Sequence, residues 1–375
     1  MKWVIGLLCL IFLILFHELG HFIAAKLCGV KVESFSIGFG PVLLHKTIKG
    51  TDYRISLFPL GGYCGMKGEN DFQTAIEEKL PYIKGEKDSL FGVHPLKRAF
   101  IGFAGPFFNF IFAIILASLI NLIGFNYYSF SNQIRVYDDV TKLNFSSCPA
   151  KDAGLQNEDK IIKINNTEII NFQDIIKEVS THPDENIEIT VLRNNEILNF
   201  TAHTLLNKET GAGFLGIQNF DNTYLEFSSP KYNFFTAFGK GILDTFDYIS
   251  ITFKSIGLLF KGVNIKNAVS GPLRVTDLLG STIQDSFKVS AKIGFINMFQ
   301  ILCIISISLF IMNLLPIPIL DGGLILFALI EAIAHKKINP KFQYYIQYIG
   351  LAFIVVLFCI GMFGDISYFI NRGKN

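Results

Sequence analysis

His17, Glu18 and His21 spell His-Glu-x-x-His inside an otherwise apolar run, LLCLIFLILFHELGHFIAAKL. In an α-helix, residues i and i+4 share a face, so both imidazoles can reach one ion. Glu18 follows the first imidazole directly, where a carboxylate can exchange a proton with an activated water. Ionisable side chains are costly at bilayer depth, and their presence there points to function. The pattern is that of a metal-dependent hydrolase whose active site lies below the membrane surface. The plainer alternative is a set of side chains that satisfy one another between helices. Three such groups on adjacent turns of one lipid-deep helix weigh against it.

Two imidazoles do not complete a catalytic zinc site, which ordinarily has three protein ligands and a water. His45, His94, His182, His203 and His335 are the other histidines. Asp321 is better placed than any of them. It ends the stretch Asn313-Leu-Leu-Pro316-Ile-Pro318-Ile-Leu-Asp321 and is followed by Gly322-Gly323. Two prolines break a helix, and paired glycines let backbone pass close to other groups. An acidic residue on a broken helix beside a membrane span needs a partner, and Zn²⁺ is a good one.

The elements that must carry these residues follow from hydropathy. Of the 375 residues, half are hydrophobic and only 17% are charged, against about 25% charged in soluble domains. The net charge of +2 gives no basis for nucleic-acid binding. The six cysteines form no Cys-x-x-Cys pair and read as packing residues. Segments 1–28, 99–125, 295–323 and 344–363 are each long and apolar enough to cross about 30 Å of hydrocarbon. The first is too long for a signal-peptide core, and cleavage would remove the His17 motif, so it is read as retained.

Between the spans the chain changes character. Residues 29–98 are polar, with alternating runs at Ser34–Ile37 and Tyr53–Phe58 and glycines as turn points, predicting one or two β-hairpins close to the membrane. Residues 133–220 hold short β-like runs around one helical run, Phe172–Val179, which describes a small α+β domain. Residues 230–290 are expected to form amphipathic helices, lying on the membrane surface or packed against the spans. Lys336, Lys337 and Lys341 stand against Glu331 in the expected loop between the third and fourth spans, and Lys97-Arg98 precede the second. The positive-inside rule therefore puts both loops in the cytoplasm and the α+β domain outside, although Arg372 and Lys374 oppose it. His17 and Asp321 then fall at compatible depth near the inner leaflet, whereas His182 and His203 lie on the other side.

His17-Glu18-x-x-His21 with Asn313-x-x-Pro316-x-x-x-Leu320-Asp321-Gly322 resembles the site-2 protease family of intramembrane zinc metalloproteases. Gly38-Phe39-Gly40-Pro41, Pro59-Leu60-Gly61-Gly62-Tyr63 and Ala104-Gly105-Pro106-x-x-Asn109 agree with it. The outward domain, Pro149-Ala150-x-x-Ala153-Gly154-Leu155-x-x-x-Asp159-x-Ile161, is similar to the PDZ domain of the bacterial regulator-of-sigma-E branch. Two features depart from that branch. Glu158 stands where glycine is usual, and only one such domain is found where some relatives carry two.

The resemblance implies a polytopic α-helical membrane protein with membrane-associated β-hairpins and one extracytoplasmic PDZ-like α+β domain. It implies residence in the bacterial cytoplasmic (inner) membrane. His17, His21 and Asp321 would bind Zn²⁺, with Glu18 as general base. Asn313 and Asn109 would hold the substrate backbone or polarise the scissile carbonyl. The strands around Gly38 and Gly40 would pair with an unwound substrate segment. The substrates would be single-span membrane proteins such as anti-sigma factors, or remnant signal peptides. A catalytically silent membrane scaffold that binds peptides through the PDZ-like domain is the alternative. A metal transporter would need ionisable residues along a whole transmembrane path, and here they cluster near one leaflet.

Overall fold

The computed structural model describes residues 2–143, 145–259, 261, 263 and 271–372. The chain divides into two compact units, residues 1–123 with 232–249 and 270–375, and residues 124–231 with 250–269.

Among the described residues, four helices of the first unit are long and apolar enough to cross a membrane. They are α1 (Lys2–Cys28), α3 (Pro95–Ile123), α8 (Ala291–Leu314) and α10 (Pro340–Arg372). Close approach between them depends on small residues. A Cβ on Gly20 of α1 would stand 3.0 Å from the Gly105 Cα of α3 and would overlap the Ala104 carbonyl oxygen. Polar bonds join the same bundle: the Ser306 hydroxyl donates to the Asn109 carbonyl at 2.8 Å and links α8 to α3. Such bonds contribute roughly 1 kcal/mol each between apolar helices.

The third expected span is interrupted. Helix α8 ends at Leu314, and Leu315 takes an extended conformation before Pro316. A separate helix, α9 (Asp321–Ala334), then begins. Its 14 residues rise about 21 Å, short of a bilayer core. Segment 295–323 is therefore not one helix, and Glu331 is not a loop charge. Glu331 is buried in α9 and pairs with Arg98 of α3 at 2.5 Å. The break follows from Pro316 and Pro318, but the helix after it runs past the glycines because Leu324–Ala334 is strongly helix-forming and finds α3 to pack on.

The hairpin region forms one long pair, β1 (Val32–Ile48) and β2 (Thr51–Met66). Lys49 and Gly50 both have positive φ at the turn, as a two-residue hairpin connection requires. Each residue from Ser34 to Ile37 has two partners in β2, within Asp52–Ile55 and within Gly62–Gly65. The short helix α2 (Glu69–Glu77) follows.

Helix α6 (Phe234–Leu259) and helix α7 (Pro272–Val289) occupy the expected amphipathic region, of which residues 264–270 lie outside those described. Packing against the spans, not a surface position, accounts for the described contacts. Asp244, within residues 232–249, accepts from Asn121 Nδ2 of α3 at 2.6 Å. Helix α7 meets α1 through a 2.5 Å ion pair between Lys2 and buried Asp277. Its N-terminus is held by α10: both Asp365 oxygens accept backbone N–H groups, from Gly271 at 2.8 Å and from Leu273 at 3.0 Å.

The second unit contains a four-stranded sheet in the order β6-β5-β7-β8, from β5 (Lys160–Ile164), β6 (Thr167–Glu168), β7 (Asn186–Arg193) and β8 (Glu196–His203). Ile187, Ile189 and Val191 alternate into its core with Ile161, Ile164 and Ile175. The helices α4 (Pro149–Asp152) and α5 (Phe172–Ser180) flank the sheet, the latter started by a capping box between Asn171 and Asp174. The expected strands and helix of 133–220 are present, but the unit is larger than that range. β3 (Asn126–Ser129) pairs with β12 (Leu225–Ser228), and β4 (Ile134–Val136) with β11 (Ile217–Asn219), so its ends close on each other. The remaining pair is β9 (Leu205–Leu206) with β10 (Gly213–Phe214).

Candidate metal centre and active site

Helix α1 places His17 and His21 one turn apart on its buried side, as their spacing dictates. The start of α9 brings Asp321 to them. His17 Nε2 lies 3.2 Å from Asp321 Oδ2 and 3.2 Å from His21 Nε2, and His21 Nε2 lies 3.3 Å from Asp321 Oδ1. Two neutral imidazoles have no reason to point bare nitrogens at each other and at a carboxylate. A cation between them supplies one. Tetrahedral zinc with ligands at about 2.0–2.1 Å has ligand–ligand edges of about 3.3 Å, and all three observed edges match. The donor set of two nitrogens and one carboxylate oxygen also suits zinc.

Both imidazoles are oriented from behind. His21 Nδ1–H donates to the Ile101 carbonyl at 2.8 Å, which leaves the Nε2 lone pair free for an ion. His17 Nδ1 lies 3.1 Å from the side-chain amide of Asn109. Asn109 is fully buried, and with its amide nitrogen turned to His17 its Oδ1 has no partner among the described residues. The opposite amide orientation fits the chemistry better: Oδ1 then accepts from His17 Nδ1–H and frees Nε2 toward the ion.

Glu18 lies beside the hairpin. The Cys64 backbone N–H of β2 bonds its carboxylate. A Cβ on Gly62 would come within 3.6 Å of Glu18 Cγ. Gly62 pairs with Ile37, the residue before Gly38. Gly38 and Gly40 have φ of 88° and 85° and turn β1 where a side chain would press on Phe58. Asn313 stands half-buried in the last turn of α8, ahead of the break that leads to Asp321.

The structure thus brings together His17, His21, Asp321 and Asn109, with Glu18 one residue from His17. Reasoning from spacing overlooked Gly105 as part of the site. A Cβ there would overlap the His21 ring. The only signal was a glycine inside an apolar span, where small residues mark close helix contacts.

The geometry agrees with the comparisons. The family description Peptidase family M50 matches residues 5–357. The chain belongs to peptidase family M50, the site-2 proteases. Three relatives carry the name "Putative zinc metalloprotease". One from Treponema pallidum is 34% identical over 99% of this chain and 100% of its own length. One from Campylobacter jejuni is 35% identical over 96% and 92%. A third, from Helicobacter pylori, is 30% identical over 97% and 99%. This M50 chain is a metalloprotease, and its cofactor is zinc.

Proposed function

We propose that this M50 peptidase cleaves peptide bonds within membrane-spanning segments of single-span proteins, with His17, His21 and Asp321 as zinc ligands and Glu18 as general base. The observation that carries this reading is the triangle of donor atoms contributed by α1 and α9. Zinc, when bound, supplies a water of lowered pKa and a Lewis acid for the scissile carbonyl. Glu18 takes the proton of the attacking water and returns it to the leaving amine. The Cys64 N–H fixes one side of that carboxylate and keeps it turned to the reacting atoms. Asn109 orients His17 and so acts through the ligand. Asn313 binds the substrate backbone.

A helical substrate hides its amide groups in its own hydrogen bonds. The hairpin gives it somewhere to unwind. β2 runs directly past Glu18, and an extended segment added along the bend at Gly38–Gly40 would present its backbone there. The second unit, taken as a PDZ-like module outside the cytoplasm, binds a chain terminus or selects substrates by size. Its small cleft of about 140 Å³ between α5 and residues Gly213–Ile217 supports terminus binding. Anti-sigma factors and remnant signal peptides remain the substrate classes that the family resemblance implies, in the bacterial inner membrane.

The test is cleavage of a single-span reporter by purified Glu18→Gln and His17→Ala variants. Both are expected to lose hydrolysis by at least about 100-fold, with Glu18→Gln keeping its zinc. Hydrolysis retained by Glu18→Gln would remove the general-base assignment. Peptide binding without turnover by the wild-type protein would favour a scaffold.

A further inference from the structure

A cleft of about 470 Å³ opens where α3 begins and α9 ends. Arg98, His94, His335, Lys336 and Lys337 line it, with Glu331 as the acidic residue among its walls. Glu331 is fully engaged: one oxygen accepts from Arg98 at 2.5 Å and the other from the Ile338 backbone N–H at 2.9 Å. The Arg98 side chain is more than nine-tenths buried, packs over Phe91 at 5.2 Å, and its Nε has no hydrogen-bond partner among the described residues. Lys337 reaches the Ile83 carbonyl at 3.2 Å and lies over Tyr82, so its charge is held in place without a neutralising carboxylate. The walls therefore carry more fixed positive charge than negative, around a buried guanidinium with a donor to spare. Such a site suits a phosphate group.

The surroundings say which phosphate. Below the cleft, α3 exposes Leu96, Phe100, Phe103 and Phe107, and α9 exposes Leu326, Ile330 and Ile333. Spacings of three and four make each set one stripe along its helix. A soluble anion would have no use for these stripes, whereas two acyl chains would cover them. We infer that this cleft binds the phosphodiester headgroup of an anionic phospholipid, with its chains lying along α3 and α9. Basic pockets between membrane helices bind such headgroups elsewhere. The inference rests on α3 being a membrane span, but not on the assignment of zinc ligands or base. Because Arg98 and Glu331 join α3 to α9, and α9 begins with Asp321, the lipid would bind where the two helices that frame the metal centre are tied together.

The test uses the full-length protein reconstituted in phosphatidylcholine vesicles with and without an equal part of phosphatidylglycerol. Lipid retained through purification into detergent is then counted by native mass spectrometry. Phosphatidylglycerol should be retained in preference to phosphatidylcholine. Retention should fall about thirtyfold in the exposed double variant Lys336→Gln/Lys337→Gln, at about fivefold per lysine. Equal retention of phosphatidylglycerol by wild type and double variant would overturn the proposal. So would retention of inorganic phosphate, added alone, together with no preference between the two lipids, since the cleft would then hold a free anion. Arg98→Ala is not needed, because its loss also breaks the pair with Glu331. Zinc content of the double variant, read in parallel, should stay at the wild-type level, which keeps this outcome separate from any failure of the active-site assignment.

Discussion

Gly105 of α3 lies flat against the His21 imidazole: a Cβ placed on it would stand 2.7 Å from Cδ2 and closer still to Nε2. The close approach of the two helices, and with it the position of one ligand nitrogen, depends on the missing side chain. Gly105→Ala should therefore push the ring out of the triangle it forms with His17 and Asp321. The expected outcome is a zinc content well below that of the wild type in otherwise folded protein, checked by elemental analysis alongside the helical signal.

Asn109 offers a sharper test because its amide can face either way. If Oδ1 accepts from His17 Nδ1–H, Asn109→Asp keeps the acceptor and should retain zinc, whereas Asn109→Leu should weaken zinc binding by about 10–100-fold. Competition with a chelator measures both. Equal loss in the two variants would show that the amide nitrogen, not the oxygen, faces the imidazole.

Asp365 sits fully buried in an apolar helix and accepts from the backbone of Gly271, Leu273 and Arg274 at the start of α7. Asp365→Ala leaves those donors without partners and a helix start without its negative charge. The cost should be about 1–3 kcal/mol. Hydrogen exchange should show the first turn of α7 opening, while the far end of the same helix stays protected.

Glu158 holds a φ of 71°, in the left-handed region that favours glycine. Glu158→Gly should relieve that strain and stabilise the second unit by about 1 kcal/mol. Its neighbour Asp159 behaves oppositely. Asp159 is buried and bound by Arg193 through both oxygens, at 2.6 and 2.7 Å, so Asp159→Ala should cost about 3–5 kcal/mol. Proteolysis of the full chain, followed at sites within residues 124–231, distinguishes the two effects.

Glu158 also shows how much a sequence can disclose. Its departure from the usual glycine was visible in the chain, and the left-handed turn it occupies is the reason glycine is usual there. The spans, the strands of the second unit and the helix at Phe172–Ser180 were likewise legible, because each is set by hydropathy or periodicity within one segment. So was the pairing of His17 with His21, which one turn of helix guarantees.

What the chain alone determined is the chemistry on offer: two imidazoles and a carboxylate on one helix, an acidic residue after a proline break, and an apolar setting in which such groups need a cation. Only the tertiary structure decided that α9 is a helix of its own, that Glu331 is buried against Arg98, that Asn109 stands behind His17 and that Gly105 makes room for His21. Those relationships join residues far apart in sequence. They depend on which helix faces meet and how closely, and no local periodicity encodes that distance.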